Sequence, residues 1–315
     1  MKVGSGDFIY ELDRFWGKPP GNVSLSVVAG LGIDEKDNIY ILSRGTPPVL
    51  VVDKSGDCVD TWGDDIFLRP HALLVDNEHH LWGVDDHGHA VYKLTKDHKL
   101  LLTLGTRGVP SDTGCINGKY TTIQRPAGPF NRPTGVAIAN NGNIYVTDGY
   151  GNCRIHVFSP AGQLLFSWGE IGNGPGQFQL PHGITIDKND IVYVCDRQNN
   201  RVQLFDLVGN YVDEWTDFER PAAIYLANDG YFYVAECKRS SAYCDAPSRV
   251  TILNRSGQIM ARLEQDANDW FYDESIGHHT AHSIVVDSQG NIYVGEVGKN
   301  IPSDYFGLLR YKRCR

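Results

Sequence analysis

The stretch LPHGITIDKNDIVYVCDRQNNRVQLF, residues 180–205, decides the fold because its pattern recurs along the chain. It reads as a proline, a short apolar strand ending in aspartate, a polar turn, an aromatic strand ending in an acid, and a third strand. Residues 69–94 and 133–158 follow the same order. The alternation of apolar and polar residues is typical of half-buried strands. The repeat therefore predicts a series of small antiparallel sheets.

The second strand of the repeat occurs six times, at 38–45, 80–88, 143–151, 191–199, 231–239 and 291–299. A third strand follows each copy, and fourth strands are visible at 57–62, 163–168 and 210–215. A ring of four-stranded sheets is a β-propeller. The sequence thus predicts an all-β, six-bladed β-propeller that spans 1–315 as a single domain. We expect loops of extra length at 105–131, 216–219, 238–248 and 264–279.

The two chain ends are expected to close this ring. The last repeat lacks a fourth strand after its third strand, whereas the N-terminal segment FIYELDRFWG, residues 8–17, has the missing pattern. We therefore expect the N-terminal strand to complete blade six, which leaves no long exposed sheet edge.

Composition narrows the classes of partner. The formal net charge of −9 and the lack of a Lys/Arg cluster argue against nucleic acid. No apolar run approaches the roughly 20 residues that a membrane-spanning helix needs, and MKVGSGDFIYELDRF has no apolar signal-peptide core. Seven cysteines, an odd number, favour free thiols and a cytoplasmic location. An exported form with a Cys237–Cys244 bridge is the alternative, and the oligomeric state stays open.

Three histidines stand at one position of alternating repeats. At the start of strand one the six blades carry Ala29, His71, Thr134, His182, Ala222 and His282. Alternate blades of a six-fold ring are about 120° apart, so the three imidazoles can converge on the axis. Three neutral imidazoles bind Zn²⁺ and leave a fourth position open, although nickel, copper or ferrous iron would accept them too. The alternative is a set of channel histidines bonded to each other or to water.

Other polar residues stand where the second strands end. The strand ends carry Ser43, Asp85, Asp148, Asp196, Glu236 and Glu296, acids that we expect mainly to cap turns. Arg44 and Arg197 follow in blades one and four, where opposed guanidiniums would bind a carboxylate or pair with the neighbouring acids. Tyr150 follows in blade three, either as a proton-transfer group beside a dication or as an ordinary turn residue.

The remaining histidines fit the repeat less well. His278 and His279 lie near His282 but outside the repeat frame. We expect the others to be solvated or packed, and of these His87 is the one that could approach the mouth of the ring.

These motifs resemble those of known repeat proteins. DRQNNRVQLF at 196–205 and the Pro-x-Gly pattern at 133–139 and 181–187 look like NHL repeats. Nearly the whole chain is similar to the peptidyl-α-hydroxyglycine α-amidating lyase family, most clearly in RPHALLVDNEHHLWGVDDHGHAVYKL (69–94), NIYVTDGYGNCRIHVFSPAGQ (143–163) and 180–205. The resemblance implies a six-bladed propeller with a zinc site. It places the zinc ligands at His71, His182 and His282, and the catalytic residues at Tyr150, Arg44 and Arg197.

The resemblance also implies a reaction. The substrate would be an N-acyl or N-peptidyl α-hydroxyglycine whose hydroxyl binds zinc and becomes more acidic. Tyr150 would take the proton, and Arg44 and Arg197 would hold the carboxylate. Cleavage of the C–N bond then gives an amide and glyoxylate without a redox step.

The chain departs from the family at two positions beside the last histidine. Thr280 replaces a methionine, and Ser283 replaces an aspartate that helps to hold a structural calcium, which argues against calcium here. Two other functions stay open: a metal-dependent hydrolase or hydratase acting on a small carboxylate, and a non-catalytic NHL propeller that binds a protein partner.

Overall fold

A computed structural model describes the chain except for residues 1, 15, 18, 22, 24–26, 238–248, 265–278, 299–306 and 315. The described residues form 27 β-strands and two short 3₁₀ helices, Tyr120–Thr122 and Arg197–Asn199. None of these helical segments is long and apolar enough to cross a bilayer. The chain divides into two compact units, Met1–Asp65 with Ala222–Arg315, and Ile66–Pro221.

The first unit contains three antiparallel sheets. One is β3 (Val28–Ile33), β4 (Ile39–Ser43), β5 (Val49–Val52) and β6 (Cys58–Trp62). The second is β21 (Pro221–Leu226), β22 (Phe232–Glu236), β23 (Arg249–Leu253) and β24 (Ile259–Glu264). The third combines β1 (Lys2–Ser5) and β2 (Phe8–Asp13) with β25 (His279–Val286), β26 (Ile292–Gly298) and β27 (Leu308–Arg313).

The N-terminal strand completes blade six as predicted. Strand β2 pairs antiparallel with β27, with Tyr10 opposite Arg313 and Asp13 opposite Arg310. Arg310 donates to the Asp13 carboxylate at 2.7 Å across this pair. Strand β1, which sequence analysis did not predict, adds a fifth strand outside β2.

The second unit also contains three antiparallel sheets. They are β7 (Pro70–Val75) with β8 (Leu81–Asp85), β9 (Ala90–Leu94) and β10 (Leu100–Gly105); β11 (Pro133–Ile138) with β12 (Ile144–Asp148), β13 (Arg154–Phe158) and β14 (Leu164–Trp168); and β17 (Pro181–Ile186) with β18 (Val192–Asp196), β19 (Arg201–Phe205) and β20 (Tyr211–Trp215). A two-residue parallel pair, β15 (Glu170–Ile171) and β16 (Gln177–Phe178), precedes the last sheet.

Six sheets of four or five strands confirm the predicted all-β, six-bladed β-propeller. The single-domain organisation over 1–315 stays a prediction. The predicted loop 238–248 and most of 264–279 lie outside the described residues, as does Cys244 of the alternative disulfide. The described cysteines, including Cys237, are free thiols.

An aspartate at the end of strand one fixes the tight turn into strand two. In blade four, Asp187 Oδ1 accepts the backbone N–H groups of Asn189 and Ile191 at 2.9 and 3.0 Å. Asp34, Asp76 and Asp287 make the same pair of bonds in their blades. An aspartate that satisfies its own turn favours this geometry locally. The recurrent aspartate is therefore a turn residue.

The core lies between successive blades within each unit. Trp82, Phe130 and Val146 belong to a buried cluster shared by blades two and three, and Tyr145 and Phe205 to one shared by blades three and four. Packing of inward faces supplies most of the favourable free energy of such a fold. Because strands one and two are antiparallel, the start of strand one and the end of strand two lie at the same end of the blade, as Pro133 and Asp148 do in blade three.

Candidate metal centre

One residue near the start of strand one is left out of the pairing with strand two. These bulged residues are Ala29, His71, Thr134, His182 and His282. At His182 the break also includes Gly183. A β-bulge turns the side chain of the unpaired residue in a new direction and is common beside functional sites. The positions that the repeat makes equivalent are thus equivalent in backbone geometry.

Two of the histidines meet the predicted tyrosine within the unit Ile66–Pro221. The Nε2 atoms of His71 and His182 lie 3.1 and 3.2 Å from the Tyr150 hydroxyl oxygen. The two imidazole centroids are 4.9 Å apart, and the phenol ring meets both edge-on. Both histidines are buried. The Tyr150 hydroxyl therefore bridges two imidazole nitrogens in a largely dry setting.

Backbone carbonyls orient the imidazoles. His71 Nδ1 lies 2.8 Å from the carbonyl oxygen of Thr134, the bulged residue of the next blade. In the other unit, His282 Nδ1 lies 2.8 Å from the carbonyl oxygen of Ala29. A carbonyl only accepts, so each Nδ1 carries the proton and each Nε2 of the neutral ring presents a lone pair. Histidines that bind metals are commonly oriented by such a second contact.

The donor set at this place fits a transition metal. Within the unit Ile66–Pro221, one imidazole nitrogen of His71 and one of His182 meet at the Tyr150 hydroxyl, and the predicted third ligand, His282, belongs to the other unit. If His182 carries its proton on Nδ1 as His71 does, two lone pairs face one hydroxyl that has a single proton. A dication suits such a group, because it requires electron-pair donors and supplies no proton.

Two glycines allow Tyr150 to reach the histidines. A Cβ on Gly149 would lie 1.9 Å from the Pro181 carbonyl oxygen, and a Cβ on Gly151 would lie 2.1 Å from Asn131 Oδ1. Neither position has room for a side chain. The turn that carries Tyr150 is therefore pressed against the strand that carries His182.

The long loop before blade three holds the same turn from the other side. The Thr113 hydroxyl, which is buried, donates to the Gly151 carbonyl oxygen at 2.6 Å. Asn131 Nδ2 donates to the Thr113 hydroxyl at 3.0 Å, and the Asn131 N–H donates to Asp148. Sequence analysis identified this loop by its length only. In the structure, this loop positions the Tyr150 turn through the hydrogen bond from Thr113 to Gly151.

Replacing Gly149 with alanine should destabilise the protein by about 2 kcal/mol, because the new methyl group meets backbone rather than a movable side chain. Thermal melting measures this as a fall of several degrees in Tm. Gly128→Ala is the matched control, since no atom lies within 4 Å of its Cβ position. A Gly149→Ala protein that melts like the control would contradict the close approach of the turn to blade four.

Arg44 and Arg197 occupy corresponding backbone positions in their two units. The N–H of Arg44 donates to Val27 O and that of Arg197 to Leu180 O, both at 3.0 Å. In blade three the equivalent bond is made by Tyr150, whose N–H lies 3.4 Å from Arg132 O. Directly after the end of strand two, blade three has Gly149 where blades one and four have Arg44 and Arg197. The turn of blade three is one residue longer, and the extra residue shifts Tyr150 into their place.

The acids at the ends of the second strands serve the local structure. Asp85 accepts the N–H groups of Leu68 and Arg69 at 2.7 and 2.8 Å, so it anchors the segment before strand one. Asp196 accepts from Gln179 N and Arg201 Nε in blade four. The expected turn cap is made by Asp85, which also accepts the N–H of Gly88 in the next turn at 2.9 Å.

A group of basic residues beside Tyr150 was missed by sequence analysis. Arg69 and Arg132 each precede the proline that begins strand one in blades two and three. Both guanidiniums contact the Nε2 atom of His87. The shared Arg-Pro dipeptide was visible in the sequence, but it carried no signal that the two side chains meet at one histidine.

The other histidines agree with the expectation of packing or solvation where they are described. His156 is buried, with Nδ1 2.8 Å from Ser167 Oγ and Nε2 3.4 Å from Asp148 Oδ2. His278 and the side chain of His279 lie outside the described residues. A second group of possible ligands, Asp76, Glu78 and His80, lies in a turn, where Glu78 is exposed and the other two are half-buried.

Comparison with known proteins identifies a matching family. Residues 129–301, more than half of the 315-residue chain, match the family DUF5128, which is described as a 6-bladed beta-propeller. This agrees with the six sheets in the structure.

Three curated relatives are informative. The chain is 31% identical to peptidyl-glycine alpha-amidating monooxygenase A of Xenopus laevis over 93% of its length, which is 33% of that protein. It is 34% identical to the probable peptidyl-alpha-hydroxyglycine alpha-amidating lyase pgal-1 of Caenorhabditis elegans over 61% of its length and 49% of that protein. It is 31% identical to NHL repeat-containing protein 3 of Mus musculus over 82% of its length and 73% of that protein. The chain thus spans about a third of the first of these relatives.

Proposed function

The chain belongs to the six-bladed β-propeller family DUF5128, and on that premise we propose that it is a zinc-dependent carbon–nitrogen lyase. Its substrate is an N-acyl or peptidyl α-hydroxyglycine, and its products are an amide and glyoxylate. The observation that carries the proposal is the Tyr150 hydroxyl within hydrogen-bonding distance of His71 Nε2 and His182 Nε2. The similarity to the amidating lyase of Caenorhabditis elegans supports the choice of reaction.

His71, His182 and His282 hold the metal in this proposal. The Nδ1 contacts of His71 and His282 to carbonyl oxygens support it, because they direct Nε2 as the ligand atom. Three imidazoles favour zinc, with nickel, copper or ferrous iron as substitutes. When bound, the metal supplies a Lewis acid for the substrate oxygen.

The protein's own residues handle one proton and one carboxylate. The reaction moves a proton from the substrate hydroxyl to the departing amide nitrogen, and the Tyr150 oxygen holds it in between. Arg44 and Arg197 bind the carboxylate that becomes part of glyoxylate. Arg197 is buried, so its charge acts in a site with little competing water.

The expected result is release of glyoxylate from N-benzoyl-α-hydroxyglycine at a rate well above the background in buffer, with benzamide formed in equal amount. A chelator should abolish the activity and added zinc should restore it, since the three-histidine site leaves one position for substrate. Glyoxylate trapped as a hydrazone gives the rate. Benzoate in place of benzamide would replace the lyase with a hydrolase that cleaves the amide bond, and no turnover with zinc present would reject both.

A binding propeller without catalysis is the second candidate. It is favoured by the relative from Mus musculus, whose name states only NHL repeats. Such a protein has no need of three histidines at bulged positions or of a tyrosine between two of them. Metal content of the purified protein separates the two candidates.

We also propose a cytoplasmic location, supported by the free thiols among the described cysteines. Thiol titration of protein taken directly from fractionated cells tests it, because oxidised pairs would indicate export.

A further inference from the structure

Two guanidiniums converge on one imidazole nitrogen beside the candidate metal centre. Arg69 Nη1 lies 3.1 Å and Arg132 Nη2 lies 2.5 Å from His87 Nε2. Both arginines precede strand one of adjacent blades, so the fold brings their side chains to the same place. A single lone pair on His87 thus faces two cationic groups.

The charges of this group are unbalanced. Partial desolvation of the ring, which still keeps access to solvent, acts together with the guanidiniums of Arg132 and Arg69 to lower the pKa of His87 to about 4, so the imidazole is neutral at pH 7. Asp86 Oδ2 lies 2.9 Å from Arg69 Nη1 and offsets one of the two positive charges. Arg132 Nη2 contacts the neutral His87, and the same guanidinium packs against Gly118, which carries no charge. One positive charge of the group therefore faces an uncharged acceptor.

The group is open to solvent and adjoins the proposed catalytic residues. His87 is exposed, and a third of the Arg69 side chain is accessible. Arg69 lies two residues before His71 in the chain, and the Arg132 carbonyl accepts the backbone N–H of Tyr150. A molecule held at Tyr150 could therefore extend to the two arginines.

We propose that Arg69 and Arg132 form a subsite for a second carboxylate, carried by the acyl or peptidyl part of the substrate, with His87 as the neutral group that the carboxylate displaces. A carboxylate matches the planar fork of a guanidinium and gains a charge-assisted hydrogen bond that a neutral imidazole cannot make. The preferred substrate then has an acidic acyl group. The proposal rests on the proposed function for the identity of the α-hydroxyglycine part.

The test is a binding measurement that does not depend on turnover. N-succinylglycine and N-succinamoylglycine share the glycine carboxylate and differ only by a second carboxylate or its amide. Isothermal titration calorimetry on the native protein should show the acid binding about tenfold more tightly, as expected for one added hydrogen bond between charged groups. Arg132→Gln should reduce this ratio to about twofold or less. Arg132→Lys, which keeps the charge but loses the fork, should fall between.

Two further variants test whether a change in the binding ratio comes only from a general disturbance of the structure. Arg255→Gln, at an exposed turn between β23 and β24, should keep the tenfold ratio. His87→Ala removes the neutral acceptor and should leave the ratio at tenfold or above, whereas a merely structural role for His87 predicts a loss. Circular dichroism establishes that each variant is folded before titration.

The outcomes separate this proposal from the one on which it rests. Equal binding of the two ligands, binding of neither, or a ratio that survives in Arg132→Gln would overturn the subsite. Failure of the proposed function would appear instead as no glyoxylate from N-succinyl-α-hydroxyglycine while the tenfold binding ratio persists.

Discussion

Replacing His71 and His182 together with asparagine should lower the metal content from about one ion per chain to below about a tenth, because one imidazole cannot retain a divalent metal. Glyoxylate release should fall at least about a thousandfold with it. Asparagine suits the test because its amide can still donate to the Thr134 carbonyl that His71 contacts, yet it cannot offer a nitrogen in place of Nε2. Metal analysis of the purified variant gives the answer directly.

The fold itself gives reason to expect that this variant remains folded. Blades one and five carry Ala29 and Ala222 at the same position, so the repeat accepts side chains smaller than histidine there. The matched control is His79→Asn with His98→Asn, two turn histidines with positive φ, a conformation that asparagine tolerates. If the His71→Asn, His182→Asn protein keeps as much metal as the control, these histidines do not bind the metal and the proposed site is rejected.

Tyr150→Phe should keep the metal and lose the reaction. The phenyl ring preserves the edge-on packing against His71 and His182, whose centroids lie 5.1 and 5.6 Å from that of Tyr150. The substitution removes only the oxygen that bridges the two nitrogens. Loss of a proton-transfer group lowers kcat by about 10²- to 10⁴-fold, and KM should change little because no contact to the substrate carboxylate is lost.

Tyr211→Phe provides the control, since Tyr211 is exposed on an outer strand. Activity of Tyr150→Phe within threefold of native would exclude the hydroxyl from the chemistry. Loss of metal together with activity would indicate instead that Tyr150 helps to hold the ion. The histidine and tyrosine variants therefore separate ligand from proton carrier.

Several features of the candidate site were accessible from the chain alone. His71, His182 and His282 were predicted as ligands because each stands at one offset of a repeat, and the same repeat frame gave no reason to choose His279. Tyr150 was placed at the same mouth by following strand two to its end. These inferences work because β-strands have a fixed period, so equal sequence positions in a repeat become equal positions in successive blades.

Other features were beyond sequence analysis because they depend on small displacements of the backbone. The bulge at each strand-one position was hidden, since a bulge leaves the alternating pattern almost unchanged. The extra residue in the turn of blade three, which puts Tyr150 rather than Gly149 at the backbone position of the arginines, was also hidden, because a one-residue extension of a turn leaves the strand pattern unchanged. The convergence of Arg69 and Arg132 on His87 was missed because it joins side chains from two blades.

The sequence by itself determined that this chain forms six small sheets and that three histidines occupy equivalent positions, since both are periodic properties that a strand pattern encodes. Only the tertiary structure decided which atoms meet. The contact of Tyr150 with His71 Nε2 and His182 Nε2 depends on the close packing of its turn, because a Cβ on Gly149 would lie only 1.9 Å from the Pro181 carbonyl oxygen. It also depends on the loop before blade three, which bonds to the same turn. Such contacts arise from packing between blades, and packing is set by the whole core rather than by any local run of residues.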